Sequence, residues 1–554
     1  MHSIRSIFFA LIIFTFFIVN PAISSNKKSV SEFIFKKCQY LEQFKNISVC
    51  STCVSSHTTI PKFYKERNYE PAWTDKKIID ELLEAIKESY DHGLNPNDYH
   101  LSSIQRLQKK IYENGSNDPS LLADFDVLLT DALLRLSFHL FYGKVSPESL
   151  DPDWNFKRKL MDEEPHIYLA RILKSGKIKE ALNKLSPDAT YYKVLKIWLK
   201  KYREFAKHPW PLVPKGKSLR LGMSSPRVKI LKKRLIAEGF LTTNEDNVTE
   251  VFDQALFEAV KAFQLHHGLE VDGVVGKNTI RALNIPPKEK VNKIRVNLER
   301  ARWLLHDLPK RFLLVNIAAF KLYYFENEQK KWSCKVMVGK PYWKTPVFRA
   351  TLKYIVVNPY WVVPPGILEK EIIPKIKKDI SYLTRNNLEI VDLKGRPINP
   401  YSINWANINP KHFPYIIRQR PGPKNPLGRI KFIFPNKHFV FLHDTPSKKL
   451  FSRTIRAFSH GCIRVEKPLE LVGILFKDSK KWNIEKIKKI IASGKNKTIY
   501  LERQIPIFIL YWTVERNDDD TITFLQDIYN RDKKILIGLD TPFRVSHLKL
   551  IKEK

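Results

Sequence analysis

The spacing of apolar residues changes from helical to strand-like near residue 311, and this change limits the folds that the chain can adopt. Before that point apolar residues recur at helical spacing, as in Leu82 and Ile86. After it, short runs rich in β-branched and aromatic residues alternate with turn residues, as in 312–317 and 321–326. A chain of 554 residues has room for three or four domains of about 150 residues. The pattern predicts an α+β multidomain protein whose helical domains precede a mainly β domain.

The chain carries a large excess of positive charge, with a formal net charge of +38 and a pI near 9.8. This balance indicates an anionic partner or surroundings. The basic residues are spread along the chain rather than gathered in one helix or interleaved with aromatic residues, so we do not expect nucleic acid as the partner. Genomic base composition explains the lysine excess equally well. The other interpretation is an anionic cell wall or a lipid headgroup surface.

Residues 1–24 have the organisation of a secretory signal. Arg5 precedes the apolar stretch 7–19, which is short for a membrane span, and Asn20-Pro21 breaks it. Small residues then stand where a signal peptidase would read them, before a cleavage point after residue 24. We therefore expect an exported protein, with an uncleaved membrane anchor as the alternative.

Three of the five cysteines lie in a polar leader, residues 25–59, that we expect to be loosely ordered. Because an exported chain meets oxidising conditions, a disulfide between Cys38 and either Cys50 or Cys53 is the interpretation we adopt. Zinc is not expected, since Cys50 and Cys53 have neither histidines at ligand spacing nor a second such pair. No other metal set or cofactor loop is evident, so no cofactor is predicted.

The most specific motif is the run 459–464, which reads Ser-His-Gly-Cys-Ile-Arg and follows a second histidine, His443. A cysteine and a nearby imidazole are the minimum parts of a thiolate nucleophile for acyl transfer. We expect Cys462 to be the nucleophile and His443 the base. Adjacent strand residues face opposite ways, so the Asp444 side chain is not expected to orient His443.

The rest of the motif supplies candidates for binding and charge stabilisation. The N–H groups of Gly461 and Cys462 are expected to form an oxyanion hole. The Arg464 guanidinium can hold a substrate carboxylate by two parallel hydrogen bonds, or instead form a structural ion pair. His460 is expected to have a structural or charge-tuning role. Tyr360, Trp361 and Phe441 could form the wall of the substrate groove, but each is equally well a core aromatic residue. Ser459 is a further candidate for substrate binding.

Two stretches of the chain resemble known families. The motif at 459–464 with its upstream histidine resembles the YkuD-type L,D-transpeptidases, which crosslink bacterial peptidoglycan. Residues 217–286 contain a three-helix pattern with Ala-Phe-Gln at 262–264 and Asp-Gly at 272–273, and they resemble the peptidoglycan-binding type 1 module. A plain helical spacer is the alternative for that stretch. The whole resembles the large multidomain branch of Gram-negative bacteria, which implies a periplasmic location.

The resemblance implies a domain order and a chemistry. As in the family, a backbone carbonyl near Asp444 would orient His443. Cys462 would attack a tetrapeptide stem, release D-alanine and pass the acyl group to an acceptor stem in a 3→3 crosslink, and carbapenems would be covalent inhibitors. Water or a lipoprotein lysine as acceptor would make the chain an L,D-carboxypeptidase or an anchoring enzyme, and a non-catalytic wall-binding protein is the remaining alternative. The expected segments after the leader are a helical scaffold (60–214), the binding module (217–286), a linker helix (287–310), the catalytic domain (311–503) with a capping insertion (364–425), and a C-terminal strand and tail (504–554).

Overall fold

The computed structural model of the protein describes residues 21–152, 154–156, 161–242 and 248–542. Most of the expected signal segment therefore lies outside the described residues. The described chain forms two compact units, the first built from residues up to 144 together with 161–186, and the second from residues 145–156 and 187–539. None of the described helices is both long enough and apolar enough to cross a membrane.

The N-terminal part of the chain is helical. Its helices are α1 (Pro21–Phe44), α2 (Thr59–Glu66), α3 (Lys76–Glu88), α4 (Leu101–Gln108), α5 (Pro119–Tyr142), α6 (Pro147–Leu150), α7 (Pro165–Ser175), α8 (Ile178–Leu185) and α9 (Thr190–Phe205). The longest helix of the first unit after α1, α5, begins where the Asp118 carboxylate accepts the Ser120 N–H and Pro119 occupies the first turn. Its side chains are buried almost all round, so α5 is the centre of this unit.

The expectation of a loosely ordered leader is wrong for residues 25–44. These residues belong to α1, whose side chains at Val30, Ile34, Cys38 and Leu41 are buried, and α1 packs against α5. The four positions fall at helical spacing and form one apolar stripe. The polar residues between them hide the stripe when only composition is considered.

The expected disulfide is also contradicted, because all five cysteines of the chain lie in the described residues and all five are free thiols. Cys38 is buried on α1, whereas Cys50 and Cys53 lie in the hairpin of β1 (Ile47–Val49) and β2 (Thr52–Val54). The Cys50 thiol donates instead to the Asp124 carboxylate at 3.5 Å. Burial raises the pKa of the Cys38 thiol to about 12, which keeps it protonated.

In the second unit, α10 (Pro226–Ala237), α11 (Gln254–His266) and α12 (Lys277–Leu283) enclose a separate apolar core, and α13 (Pro287–Leu304) follows them. The Gln264 amide ties this bundle together: its oxygen accepts the N–H groups of Asp272 and Gly273, and its nitrogen donates to the Asp272 carboxylate at 2.8 Å. Gly273 has φ +71°, and a Cβ there would lie 2.1 Å from the Phe257 ring. These contacts explain why glutamine and Asp-Gly occur together in the sequence.

The remainder of the second unit is built on strands. They are β3 (Arg311–Asn316), β4 (Lys321–Glu326), β5 (Gln329–Gly339), β6 (Phe348–Val357), β7 (Trp361–Val362), β8 (Leu388–Val391), β9 (Ile416–Gln419), β10 (Ile430–Ile433), β11 (Leu442–His443), β12 (Ala457–Ser459), β13 (Ile463–Val465), β14 (Lys497–Leu510), β15 (Val514–Arg516) and β16 (Ile522–Phe524). Nine of them form one sheet in the order β12-β5-β13-β11-β10-β6-β14-β3-β4, and β4 also pairs with β5, so the sheet closes on itself. The largest apolar core of the chain lies against this sheet.

The central strand β14 runs without a break across the expected boundary at residue 503. It pairs with β6 on one side and with β3 on the other, and its register shifts between Tyr500 and Ile505. The stretch 504–510 is therefore part of the nine-stranded sheet rather than of a separate tail. Two helices, α17 (Pro468–Leu475) and α18 (Ile484–Ser493), precede β14 in chain order. After β14 the chain continues through β15, β16 and α19 (Asp532–Asp540).

The insertion between β6 and β10 has its own sheet and core. Strands β7, β9 and β8 pair in that order, and the short helices α14 (Pro365–Ile367), α15 (Ile373–Lys378) and α16 (Tyr382–Arg385) accompany them. Its apolar core includes Val363, Ile372, Ile390 and Ile417. Because this core is separate from that of the large sheet, the insertion is a subdomain rather than a long loop.

Thiol counting tests the absence of a disulfide. Denatured protein that has not been reduced should titrate five thiols per chain, because all five cysteines are free. We expect a reductant to leave the melting temperature unchanged. A wild-type thiol count lower by two that reductant restores would instead indicate a disulfide. If that deficit were absent in a Cys38→Ser variant, the disulfide would involve Cys38.

Candidate active site

Cys462 lies on a tight loop between β12 and β13, and the loop is shaped by its own side chains. The Ser459 hydroxyl donates to the Cys462 carbonyl at 2.5 Å and accepts the Gly461 N–H at 3.1 Å. Gly461 has φ +116°, a conformation that residues with a Cβ rarely adopt. The sharp turn leaves the Cys462 thiol partly exposed, with the Phe439 carbonyl 3.8 Å from its sulfur.

This geometry changes two of the expectations drawn from the motif. Ser459 is 2% exposed, so it holds the loop rather than facing a groove. The Gly461 N–H is already donated to Ser459 Oγ, which leaves the Cys462 N–H as the better candidate for an oxyanion donor.

A second set of hydrogen bonds supports the loop from behind. The Thr345 hydroxyl donates to the Gly461 carbonyl at 2.8 Å, and it accepts the Gly339 N–H at 2.9 Å. The Tyr529 hydroxyl accepts the Thr345 N–H at 3.1 Å and donates to the Gly339 carbonyl at 2.5 Å. We call Gly461, Thr345 and Tyr529 the loop support. Sequence reasoning missed Thr345 and Tyr529, because neither lies near the motif along the chain.

His443 stands beside the loop because β11 pairs in parallel with β13, which places His443 opposite Arg464. The imidazole is 4% exposed, and its Nδ1 lies 2.5 Å from the Asp444 carbonyl. A carbonyl only accepts, so Nδ1 carries the proton and Nε2 keeps a free lone pair. Burial, together with the nearby charges of Arg464 and Lys431, lowers the pKa of His443 to about 3. The imidazole is therefore neutral near pH 7 and suited to accept a proton.

The Asp444 carboxylate is turned away from His443, as strand alternation predicts. Its oxygens accept the Arg429 N–H at 2.9 Å and the Lys448 ammonium at 2.7 Å. Gly428 has φ +61°, and a Cβ there would lie 2.3 Å from the Asp444 carboxylate. The side chain therefore fixes the neighbouring backbone, while the backbone carbonyl orients His443.

Lys431 is a residue of the site that sequence reasoning missed. It pairs with His443 across β10 and β11, which puts both side chains on one face of the sheet. Its ammonium lies 3.8 Å from the centroid of the Phe441 ring, and the Phe441 ring lies 5.6 Å from the imidazole. Burial lowers the pKa of Lys431, and the Cys462 thiolate acts in the opposite direction. The sequence did contain a signal for this residue, because Lys431 falls at an inward-facing position of the predicted strand 429–434.

The thiol itself is subject to opposing effects. Burial raises the pKa of Cys462, while a backbone hydrogen bond at Phe441 and the positive charges of Lys431 and Arg464 lower it, with a net rise. The Arg464 guanidinium is largely buried, and within the described part of the chain its Nε has no hydrogen-bond partner and no carboxylate forms an ion pair with it. A structural ion pair, one of the two interpretations of Arg464, is thus not found there. At rest the Cys462 thiol and the His443 imidazole are therefore both neutral, and the positive charges of Lys431 and Arg464 act on both groups.

The other two candidates lie farther out. The His460 ring packs on Trp343 with centroids 3.8 Å apart, and its Nε2 lies 3.8 Å from the Glu371 carboxylate of the insertion. Tyr360 lies under the Arg418 guanidinium, 4.4 Å away, in the insertion rather than on the loop. The structure therefore brings together Cys462, His443 and Arg464 with Phe441, and leaves His460 at the edge.

Comparisons with protein families agree with this architecture. Residues 310–479 match the family described as "L,D-transpeptidase catalytic domain", residues 224–283 match "Putative peptidoglycan binding domain", and residues 58–199 match "Scaffold domain". The chain thus carries an L,D-transpeptidase catalytic domain of the YkuD type together with a peptidoglycan-binding type 1 domain.

Individual relatives cover parts of the chain. A protein of Haemophilus influenzae named "Putative L,D-transpeptidase" is 35% identical over 47% of this chain and 53% of its own length. The chain thus spans about half the length of that relative. The Mycobacterium tuberculosis N-acetylmuramoyl-L-alanine amidase CwlM is 43% identical over 14% of this chain and 20% of its length. An L,D-transpeptidase structure from Xylanimonas cellulosilytica is 15% identical, covering 54% of this chain and 99% of its own, with a TM-score of 0.17 that is too low to bear on the fold.

Substitution at Asp444 separates a role of its side-chain carboxylate from a role of its backbone carbonyl in orienting His443. Asp444→Asn should keep at least a third of the wild-type rate of Cys462 acylation, because the orienting group is the backbone carbonyl. Cys462→Ala and His443→Ala should reduce that rate below detection. Mass spectrometry of the acylated protein measures all three. A folded Asp444→Asn protein as inactive as His443→Ala would show that the carboxylate is essential.

Removal of the Lys431 charge should make Cys462 less acidic. In Lys431→Met the rate of iodoacetamide alkylation at pH 7.5 should fall about three- to tenfold, with the pH profile moved to higher pH, because a stabilising charge on the thiolate is lost. The matched control is Lys353→Met, which removes an exposed lysine from the neighbouring strand β6. Equal profiles for the two variants would rule out an electrostatic role for Lys431.

Proposed function

We propose that this protein is an exported L,D-transpeptidase that forms 3→3 crosslinks between peptidoglycan stem peptides. The observation that carries the proposal is a neutral, carbonyl-oriented His443 on β11, which pairs with the strand that follows the Cys462 loop, within a domain that matches the L,D-transpeptidase family. A thiol with a positioned base is suited to acyl transfer.

In the first half-reaction His443 Nε2 takes the thiol proton as Cys462 Sγ attacks the carbonyl that joins the L-centre of diaminopimelate to D-alanine. A C–S bond forms, and the carbonyl oxygen becomes an oxyanion to which the Cys462 N–H donates. The C–N bond then breaks, and the protonated His443 returns its proton to the nitrogen of the departing D-alanine. The product is a thioester and free D-alanine.

In the second half-reaction the side-chain amine of diaminopimelate on a neighbouring stem attacks the thioester. His443 takes a proton from that amine, the new C–N bond forms and the C–S bond breaks. The proton then passes to the sulfur, which restores the thiol. No external oxidant, reductant or nucleotide enters the balance.

Arg464 suits a carboxylate of the stem peptide. It belongs to β13, two positions after the nucleophile, and has no carboxylate partner among the described residues. A guanidinium can hold a carboxylate through two parallel hydrogen bonds, which would fix the scissile carbonyl over the sulfur. We assign Arg464 to substrate binding on this ground, with Phe441 as an apolar wall.

The other parts of the chain are consistent with work on the cell wall. The peptidoglycan-binding domain would hold the enzyme on its polymeric substrate, and the positive charge of the chain suits the carboxylate-rich wall or a membrane surface. The N-terminal signal pattern supports export to the periplasm. The insertion would act as a cap, since Glu371 reaches the edge of the site at His460.

The acceptor distinguishes this proposal from its alternatives. Water as acceptor would give an L,D-carboxypeptidase, and a lipoprotein lysine would give an anchoring enzyme. A wall-binding protein without activity is disfavoured, because the thiol, the imidazole and Arg464 all remain in place.

One incubation can separate these outcomes. Purified protein is mixed with disaccharide-tetrapeptide monomers, and the products are analysed by liquid chromatography and mass spectrometry. We expect dimers linked 3→3 and release of D-alanine. A carbapenem should add the mass of one carbapenem molecule to Cys462 and block both dimer formation and D-alanine release. The Cys462→Ala control should form no dimer, release no D-alanine and gain no carbapenem mass. Tripeptide without dimers would indicate a carboxypeptidase, and no product with no carbapenem adduct would leave only wall binding.

A further inference from the structure

Two turns of the nine-stranded sheet flank the loop that carries Cys462. The sheet order places β5 on one side of β13, and β11 with β10 on the other side. Strand β13 runs antiparallel to β5, while β11 runs parallel to β13 and antiparallel to β10. The turn after β5 (340–347), the loop before β13 (460–462) and the turn between β10 and β11 (434–441) therefore lie at the same end of the sheet.

The turn after β5 presents two aromatic rings. Tyr342 is 68% exposed and Trp343 is 37% exposed, and their ring centroids lie 4.7 Å apart. The Trp343 ring packs on His460, two residues before the nucleophile. Backbone hydrogen bonds fix this turn: the Trp343 N–H donates to the Lys340 carbonyl at 2.8 Å, and the Lys340 N–H donates to the Ser459 carbonyl at 3.0 Å. The two rings are thus held against the strand that leads into the nucleophile loop.

The turn between β10 and β11 presents a third ring, on a residue with an unusual backbone conformation. Phe439 is 84% exposed, more than any other large apolar side chain that the structure describes, and its φ is +55°. Bulky residues rarely adopt this left-handed conformation, because it is strained. The Asn436 side chain maintains it, since its nitrogen donates to the Val440 carbonyl at 2.7 Å and its oxygen accepts the Val440 N–H at 3.2 Å. A strained, exposed phenylalanine whose carbonyl lies 3.8 Å from the Cys462 sulfur indicates a role in function rather than in the core.

We call Tyr342, Trp343 and Phe439 the aromatic rim. The strands that carry its two sides, β5 and β11, are two strand spacings apart, roughly 10 Å, with the nucleophile loop between them. The Lys340 ammonium lies 5.7 Å from the centroid of Tyr342 and 5.6 Å from that of Trp343. The rim therefore combines exposed aromatic faces with a cation.

This combination suits a sugar. The C–H groups on one face of a sugar ring carry a slight positive charge and pack on the negative face of an aromatic ring, and hydroxyl groups at the edge accept from a cation. The stem peptide is a poorer occupant of the rim, because it is rich in carboxylates and amides. Its carboxylate is also already assigned to Arg464.

We propose that the aromatic rim is a saccharide site, which holds the disaccharide of the substrate while the stem lies over Cys462. The inference rests on the proposed function, which makes a sugar-bearing stem the substrate. In a disaccharide-tetrapeptide the sugar is joined to the first stem residue and the attacked carbonyl belongs to the third, so the two are about 10 Å apart in an extended stem. Both sides of the rim begin within that reach, at Phe439 beside the sulfur and at Trp343 on His460. The site lies outside the peptidoglycan-binding domain, residues 224–283.

The first experiment measures what the sugar contributes to turnover. The kcat/KM for D-alanine release is determined with disaccharide-tetrapeptide and with the free tetrapeptide. We expect wild-type protein to prefer the sugar-bearing substrate at least tenfold, mainly through a lower KM. Tyr342→Ala and Phe439→Asn should each reduce this preference at least threefold.

Two controls accompany these variants. Asparagine tolerates positive φ, so Phe439→Asn should melt no lower than wild type while losing the ring. Tyr40→Ala removes an exposed tyrosine of α1 that stacks on Phe44 with centroids 6.0 Å apart, as Tyr342 packs on its aromatic neighbour. This variant should keep the wild-type preference for the sugar-bearing substrate.

A binding measurement distinguishes this inference from the proposed reaction. Calorimetric titration of Cys462→Ala protein with each substrate needs no turnover. Adding Tyr342→Ala to that protein should weaken the binding of disaccharide-tetrapeptide at least threefold more than the binding of free tetrapeptide. Such a result in a protein whose wild type releases no D-alanine would support the saccharide site and overturn the proposed function.

Three results would overturn the saccharide site and leave the proposed reaction intact. Equal kcat/KM of wild type for the two substrates would show that the sugar is not held. An unchanged preference in both Tyr342→Ala and Phe439→Asn would place sugar recognition outside the rim. Equal losses on the two substrates would show that the rim contacts the stem peptide instead.

Discussion

The parallel pairing of β11 with β13 is the constraint on which the site depends. It puts His443 opposite Arg464 and so holds the imidazole beside the loop that carries Cys462. Parallel neighbours need a crossover between them, and here the crossover contains the loop itself. The pairing of β10 with β11 then adds Lys431 on the same face. One short two-residue strand thus brings an imidazole together with two cationic side chains.

Burial and positive charge act together on this group of residues. Both lower the pKa of the imidazole, whereas burial raises the pKa of the thiol and the charges oppose that rise. The result is a neutral pair at rest rather than a thiolate and an imidazolium. In the reaction that we propose, such a pair would ionise as the substrate carbonyl is attacked, and the two cations would stabilise the developing negative charge. The proton has one route, because Nδ1 is held by the Asp444 carbonyl.

Local patterns in the sequence were enough to predict the α+β multidomain architecture and the peptidoglycan-binding module, and they singled out the motif around Cys462. Each depends on neighbours in sequence: Gly461 at its turn, and Gln264 with Asp272 and Gly273 in the bundle. The errors came where partners are distant. The order of α1 depends on packing against α5, and the place of Tyr529 in the loop support depends on the path of the C-terminal segment. Lys431 was missed because its importance comes only from a strand pairing.

The loop support has a consequence for the order in which the site forms during synthesis. Tyr529 stands near the C-terminus, beyond the residues matched by the catalytic family, yet its hydroxyl holds both Gly339 and Thr345, and Thr345 holds the Gly461 carbonyl. Since synthesis proceeds from the N-terminus, the segment bearing Tyr529 is made after all nine strands of the large sheet. The turn that presents Cys462 therefore gains this support only after the sheet around it has been synthesised. The thiol thus reaches its supported geometry later than the strands that surround it.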